Sequence, residues 1–166
     1  MDKDTLLSGL EFSRSRLLGT LEGIEKSGQD VAKVLSWRPG PGRAHMAWQA
    51  LHCAATHDRY LNVRLLEKTE KDQALVAGFG GGSTPSDANV PTLDVIRRKL
   101  AETYEPFKQY IAALTPQTLQ RQVNFPGGQT RSVAESILLM TWHEAHHQGQ
   151  IHLTWNLYKA AHGLTK

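Results

Sequence analysis

Residues 142–151 carry the stretch WHEAHHQGQI, in which His143 and His147 are separated by four positions. On an α-helix, residues four apart differ by about 40° of rotation and one turn of rise, so the two side chains project side by side. Their seam, at alternating spacings of three and four, consists of Ser136, Met140, His143, His147, Gln150, Thr154 and Leu157. A helical bundle turns such positions inward. Imidazole is the commonest metal ligand, so the pair favours a metal site over two buried histidines with hydrogen-bond partners.

A third ligand is expected from another helix, because two histidines alone hold a metal weakly. Three candidates lie in the second helical stretch: His45, His52 and His57. His45 is two turns from His52, roughly 10 Å by helical rise, too far to share an ion with it. His57 is rotated by about 140° from His52, so only one of those two is expected to face the last helix. Cys53 is expected to be a small buried residue rather than a ligand or nucleophile.

The same stretch satisfies H-E-x-x-H, the zincin signature, in which the glutamate is the general base. The extended metzincin form needs Gly and His where this chain has Gln150 and Leu153. Glu144 is rotated by about 100° from His143, which predicts a place at the margin of the bundle core. His146 lies about 60° around from His143 and is expected to face another helix or solvent. A hydrolase is therefore the less favoured reaction.

Apolar periodicity predicts four long amphipathic helices. They are expected at about residues 4–26, at about 44–68, from the N-cap Thr92 onward, and from the capping box at Ser132 to about 161. Pro106 predicts a kink or an early end in the third helix. Residues 78–85, GFGGGSTP, predict a flexible and exposed connection that is a linker rather than a lid. Val123 and Phe125 are expected in a short extended piece.

The bulk composition indicates one domain, residues 1–166, with a net charge of +3. The densest basic cluster, residues 97–99, is expected on a solvated helix face, so no specific nucleic-acid partner is predicted. Cys53 is the only cysteine, which excludes an intramolecular disulfide. There is no signal-peptide core, and no apolar run approaches the roughly 18 residues that cross a membrane. We therefore expect a cytoplasmic protein with no membrane partner.

Three segments resemble the DinB-like (DinB/YfiT-like) superfamily. The tail HxxxHQGQI at residues 143–151 is similar to that family's last-helix pattern, typically HxxxHRGQI, with Gln148 in place of Arg. The motif WxxLH at residues 48–52 resembles its second-helix ligand motif, and WRPGP at 37–41 resembles its lead-in. The resemblance spans almost the whole chain. It implies an all-α, DinB-like four-helix bundle with a long loop between helices 2 and 3.

The resemblance also implies one divalent metal ion, zinc or nickel, held by His52, His143 and His147, and it favours His52 over His57. It implies a homodimer as well. Family members with known activity include bacillithiol transferases and mycothiol-dependent maleylpyruvate isomerases. We therefore expect a metal-dependent enzyme, a thiol S-transferase that joins a low-molecular-weight thiol cosubstrate to electrophilic small molecules. The alternative is a non-catalytic metal-binding or stress-associated helical bundle.

Three residues near the histidine pair are candidates for a catalytic role. Gln150, one turn beyond His147 on the same seam, is placed to hydrogen-bond a ligand or the substrate. Glu144 and His146 are weaker candidates for proton transfer. An open three-histidine site is typical of catalytic rather than structural zinc.

Overall fold

The computed structural model describes residues 1–88 and 90–164, and most of them are helical. The long helices are α1 (Lys3–Glu25), α3 (Met46–Arg59), α5 (Leu93–Ala112) and α7 (Val133–Ala161). The short ones are α2 (Val31–Ser36), α4 (Gln73–Phe79) and α6 (Pro116–Leu119). A two-stranded antiparallel hairpin, β1 (Gln122–Asn124) and β2 (Thr130–Ser132), precedes α7. The all-α fold predicted from the sequence is confirmed.

The four long helices form a bundle. Helix α1 packs against α5 and α7, and α3 packs against the same two, so α1 and α3 stand at opposite corners. Two apolar clusters fill the interior, one around Leu17, Leu51 and Leu100 and the other around Phe107 and Ile137. Burial of such side chains, at about 1.5–3 kcal/mol each, is the main stabilisation of the bundle.

Side-chain caps begin the long helices. Ser132 accepts a hydrogen bond from the backbone N–H of Glu135, whose carboxylate accepts from Ser132 in return, so the predicted capping box is present. Thr92 caps α5, also as predicted. His45 caps α3, because its Nδ1 accepts from the backbone N–H of Trp48 at 3.0 Å. Each cap satisfies a backbone donor that the helix leaves unpaired.

Of the two outcomes predicted at Pro106, a kink or an early end of the third helix, the early end is wrong, because α5 continues through it to Ala112. A proline removes one backbone donor from the helix. The next two turns bury Phe107 and Ile111 completely, and this burial holds the helix together beyond the proline.

The second helix, predicted at about residues 44–68, is shorter in the structure than expected. Helix α3 ends at Arg59, and the chain continues as a π-helix over Tyr60–Leu65. The long loop before α5 contains α4 in its first half. Gly80 ends α4 and is buried, so the predicted flexible, exposed connection does not begin until after it. The expected extended piece at Val123 is strand β1, which ends before Phe125.

No helix in the described ranges combines the length and the apolar character that a membrane crossing requires.

Candidate metal centre

Three imidazoles from two helices converge inside the bundle. His52 comes from α3, and His143 and His147 come from successive turns of α7. The Nε2 atoms of His52 and His143 are 3.1 Å apart, and one nitrogen of each of the three histidines lies within 4.8 Å of the others. The structure thus brings together the three residues that the sequence and the resemblance selected, in an arrangement that can hold a metal ion.

The orientation of His52 is fixed from two sides. Its Nδ1–H donates to the backbone carbonyl of Phe79 at 2.6 Å, and because a carbonyl can only accept, the Nδ1 atom must carry the proton. The lone pair is then on Nε2, which faces the other two histidines. The ring of Trp48 stacks on His52, with centroids 4.7 Å apart and 9° between the planes. Hydrogen bonds of this kind set the tautomer of metal-binding histidines.

His147 is held in a similar way by Gln49, which lies one turn before His52 on α3. The Nδ1 of His147 is 2.5 Å from the Oε1 of Gln49, so Nδ1 donates and the lone pair of Nε2 is free. Gln49 was not predicted from the sequence, which had indicated Gln150 for such a role. The signal that pointed to it was its spacing of three residues from His52, which places both on one face of α3.

All three histidines favour the neutral form that binds metals. Burial and the neighbouring histidines lower the pKa of His143 and that of His147 to about 3. Burial also lowers the pKa of His52. The Nδ1 of His143 is buried without a hydrogen-bond partner among the described residues. His52 and His147 each have a fixed Nε2 lone pair, and His143 is a third neutral imidazole whose nitrogen lies within 4.8 Å of theirs. Such a set of nitrogen ligands fits a divalent ion such as zinc.

A pocket of about 260 Å³ opens beside His52 and His143. Its other lining residues are Ala55, Thr56, Arg59, Tyr60, Gly80, Gly81, Leu139 and Met140. Pockets for drug-sized ligands have roughly 300–1,000 Å³, so this one suits a smaller molecule. The glycines come from the loop that was predicted to be a linker, and they form part of the wall instead.

Comparison with known families agrees with the geometry. The model of the DinB superfamily matches residues 9–151, which include α1 from Gly9 onward, all of α3 and α5, and α7 as far as Ile151. The chain belongs to the DinB superfamily. All three histidines lie within the matched segment of this DinB-superfamily protein. Among curated proteins, no sequence matches the chain.

Behind the histidines of this DinB-superfamily bundle lies a buried charged cluster. Glu144 is completely buried and accepts from Nε and Nη2 of Arg14, at 2.5 and 3.1 Å. Arg14 also donates to the carbonyl of Leu100 at 2.7 Å. The prediction that Glu144 lies at the margin of the core is wrong. It shares its spacing with Ile137, Met140, Ile151 and Trp155, the buried seam of α7.

His57 completes this cluster. Its Nε2 is 3.2 Å from Oε2 of Glu144, and its Nδ1 is 3.3 Å from Nη2 of Arg14. Burial, together with Arg14, lowers the pKa of His57 well below the usual value. The expectation that only one of His52 and His57 faces the last helix is wrong, because His57 points to the bundle axis, where it meets Glu144.

The remaining candidates lie outside this arrangement. His146 is exposed, stacks on Trp142 with centroids 5.1 Å apart, and accepts from the side-chain amide of Gln150 at 2.7 Å. Cys53 is fully buried, and burial raises the pKa of its thiol well above the ordinary value. A thiol in this state is a poor nucleophile.

A larger pocket, of about 430 Å³, lies between α3 and α5 and includes Asp58. The carboxylate of Asp58 accepts from the side chain of Asn62 and from the backbone N–H groups of Lys71 and Asp72. These bonds anchor the start of the long loop, so we assign Asp58 a structural role.

Proposed function

We propose that this protein is a metal-dependent thiol S-transferase that acts on electrophilic small molecules. The observation that carries the proposal is the convergence of His52, His143 and His147 beside a pocket for a small molecule. The metal would be zinc or nickel, and the second substrate a low-molecular-weight thiol. Because the resemblance points to thiol chemistry and the geometry only to a metal and a small ligand, the reaction is the part that most needs testing.

The chemistry divides between the metal and the chain. A divalent ion with open coordination positions lowers the pKa of a bound water or thiol and so provides a nucleophile near neutral pH. The histidines hold that ion in their neutral forms, and Phe79 and Gln49 hold the imidazoles in place. The pocket offers an apolar wall at Leu139 and Met140, and the side chains of Thr56 and Tyr60 bring hydroxyl groups to its lining. Such a lining can orient an electrophile next to the nucleophile.

A homodimer in the cytoplasm is part of the proposal. The outer face of α7 exposes large apolar side chains along its whole length: Leu138 (47%), Trp142 (58%), Leu153 (58%) and Leu157 (42%). Phe12 on the neighbouring α1 is 67% exposed. Exposed apolar side chains of this kind, interrupted here by the exposed His146, are typical of protein interfaces. The family resemblance implies that the partner on this face is a second copy of the chain. Light scattering would test this by comparing the mass of wild type with that of Trp142→Glu.

Elemental analysis of protein purified without added metal or affinity nickel tests the metal site. We expect about one equivalent of zinc or nickel in wild type and little in His147→Ala. His146→Ala is the matched control, because it removes an exposed histidine one residue away. Wild-type protein that contains no metal, and takes up neither ion, would contradict the proposal.

Assays of thiol transfer to electrophiles then test the reaction in the metal-loaded protein. Turnover that disappears in His147→Ala supports the enzyme. Stoichiometric metal without turnover for any thiol would favour the alternative, a non-catalytic protein in which the ion only stabilises the bundle.

A further inference from the structure

Arg59 stands at the end of the pocket away from the histidines. It lies seven residues after His52, two turns along the same face of α3, or about 10 Å by helical rise. Thr56 lies between them on that face, and Tyr60 follows Arg59 at the start of the π-helix. The pocket therefore has a histidine end and a guanidinium end on one helix.

The guanidinium of Arg59 is only partly engaged. Its Nε donates to Oε1 of Glu70 at 3.3 Å, and neither Nη1 nor Nη2 has a hydrogen-bond acceptor among the described residues. The side chain of Arg59 is 42% exposed and that of Glu70 is 23% exposed. One edge of the guanidinium is thus held by Glu70, and the other edge is available to a ligand. Guanidinium edges bind carboxylates with two parallel hydrogen bonds.

Two more arginines lie near this side of the pocket, and the carboxylate of Glu70 lies near one of them, Arg64. Arg131 and Arg64 lie over the ring of Phe125, at 5.1 and 6.0 Å from its centroid, and Phe125 packs on Tyr60. Burial raises the pKa of Tyr60, whereas the two arginines act in the opposite direction, so both are near the phenol. The described lining of the pocket contains no aspartate or glutamate. The three arginines outnumber the nearby carboxylates of Glu70 and Glu135, and an excess of positive charge attracts anionic ligands.

We propose that the pocket binds a small organic molecule that carries a carboxylate at one end, held by Arg59, and its reacting group at the other end, next to His52 and His143. The middle of the molecule would lie against Ala55, Leu139 and Met140, and is therefore apolar. The histidine end of this assignment rests on the proposed function. The carboxylate end depends on Arg59 and stands independently of the metal.

Calorimetric binding to zinc-loaded protein tests the carboxylate end with two pairs of probes. The first pair is mercaptohexanoate and mercaptohexanol, and the second is hexanoate and hexanol, which lack the thiol. Within each pair we expect wild type to bind the carboxylate roughly tenfold more tightly than the alcohol. Arg59→Gln should remove that preference at unchanged zinc content. Arg98→Gln, which removes a positive charge from the outer face of α5, should retain it.

Glu70→Gln should change the preference for the carboxylate probe in the opposite direction to Arg59→Gln, because it removes the carboxylate that competes for Arg59. The preference for the acid over the alcohol should rise in this variant. No preference in wild type, or a preference that survives Arg59→Gln, would overturn the assignment. A separate result addresses the proposed function: thiols that bind no more tightly than the probes without sulfur would argue against thiol binding at the histidines, whatever Arg59 does.

Discussion

Arg14 of α1 and Glu144 of α7 form an ion pair in the interior, with Nε 2.5 Å from Oε1 and side-chain exposures of 6% and 0%. The two residues are 130 positions apart, so the pair joins the first and last helices of the bundle. Two charges removed from water need good geometry and further hydrogen bonds to offset their desolvation. Here Leu100 and His57 provide further contacts to Arg14.

Arg14→Met should lower the free energy of unfolding by about 3–5 kcal/mol, because it leaves the buried carboxylate of Glu144 unpaired. The double variant Arg14→Met/Glu144→Leu should lose less than the single one, since no lone charge remains. Arg97→Met, which breaks a surface pair with Glu25, should lose at most about 1 kcal/mol. Urea unfolding gives all three values. A double variant less stable than Arg14→Met would contradict this account.

Gln49→Leu should weaken zinc binding about 10–100-fold, because His147 loses the acceptor that holds its ring and its tautomer. Competition with a zinc chelator measures the affinity. Gln150→Leu makes the same chemical change on α7 and should have a smaller effect, because the amide of Gln150 donates to the exposed His146, although it also lies near His147. If Gln150→Leu weakened zinc binding more than Gln49→Leu, Gln150 and not Gln49 would be the glutamine that holds a ligand histidine in place, as the sequence had indicated.

Gly80→Ala should destabilise the protein by roughly 1–3 kcal/mol, because the added Cβ would overlap the backbone carbonyl of Val76. The same strain should move the adjacent Phe79 carbonyl, which orients His52, and so weaken zinc binding as well. At Gly81 an added Cβ has open space, so Gly81→Ala is the matched control. Thermal unfolding and the chelator titration measure the two effects. If Gly80→Ala and Gly81→Ala had equal thermal stability and equal zinc affinity, an added Cβ at residue 80 would not collide with the Val76 carbonyl.

Acid should destabilise the metal-free protein partly through His57, whose pKa is lowered by burial and Arg14. The unfolded chain takes up a proton on this residue below about pH 6.5, whereas the folded chain does not. The contribution of neutral His57 to the free energy of unfolding is therefore fully present above that pH. It is lost as the pH falls toward the folded-state pKa, by up to about 1.4 kcal/mol per pH unit. In His57→Gln the slope of unfolding free energy against pH should be smaller, whereas in His152→Gln, which removes an exposed histidine, it should match wild type. Parallel slopes in wild type and His57→Gln would contradict the prediction.

The histidine pair on α7 could be predicted because the geometry of His143 and His147 depends only on the local helix. His52 needed the family resemblance, since periodicity does not say which face of α3 meets α7. Phe79 escaped prediction because its carbonyl, 27 residues from His52, is placed by the long loop. Arg14 was not predicted, although its place between Leu10 and Leu17 on the inward stripe of α1 was a usable signal, because a charge there requires a buried partner.

The contact between His52 and His143 spans 91 residues of chain. An ion bound by both would act as a cross-link, and closing a loop of about that length restricts the unfolded ensemble by up to roughly 4–5 kcal/mol in the chain-entropy model. Residues 52–143 contain all of α5 and the hairpin. Metal occupancy would therefore raise the free energy of unfolding of the bundle, and loss of the ion would increase the fraction of unfolded chain that proteases can cleave.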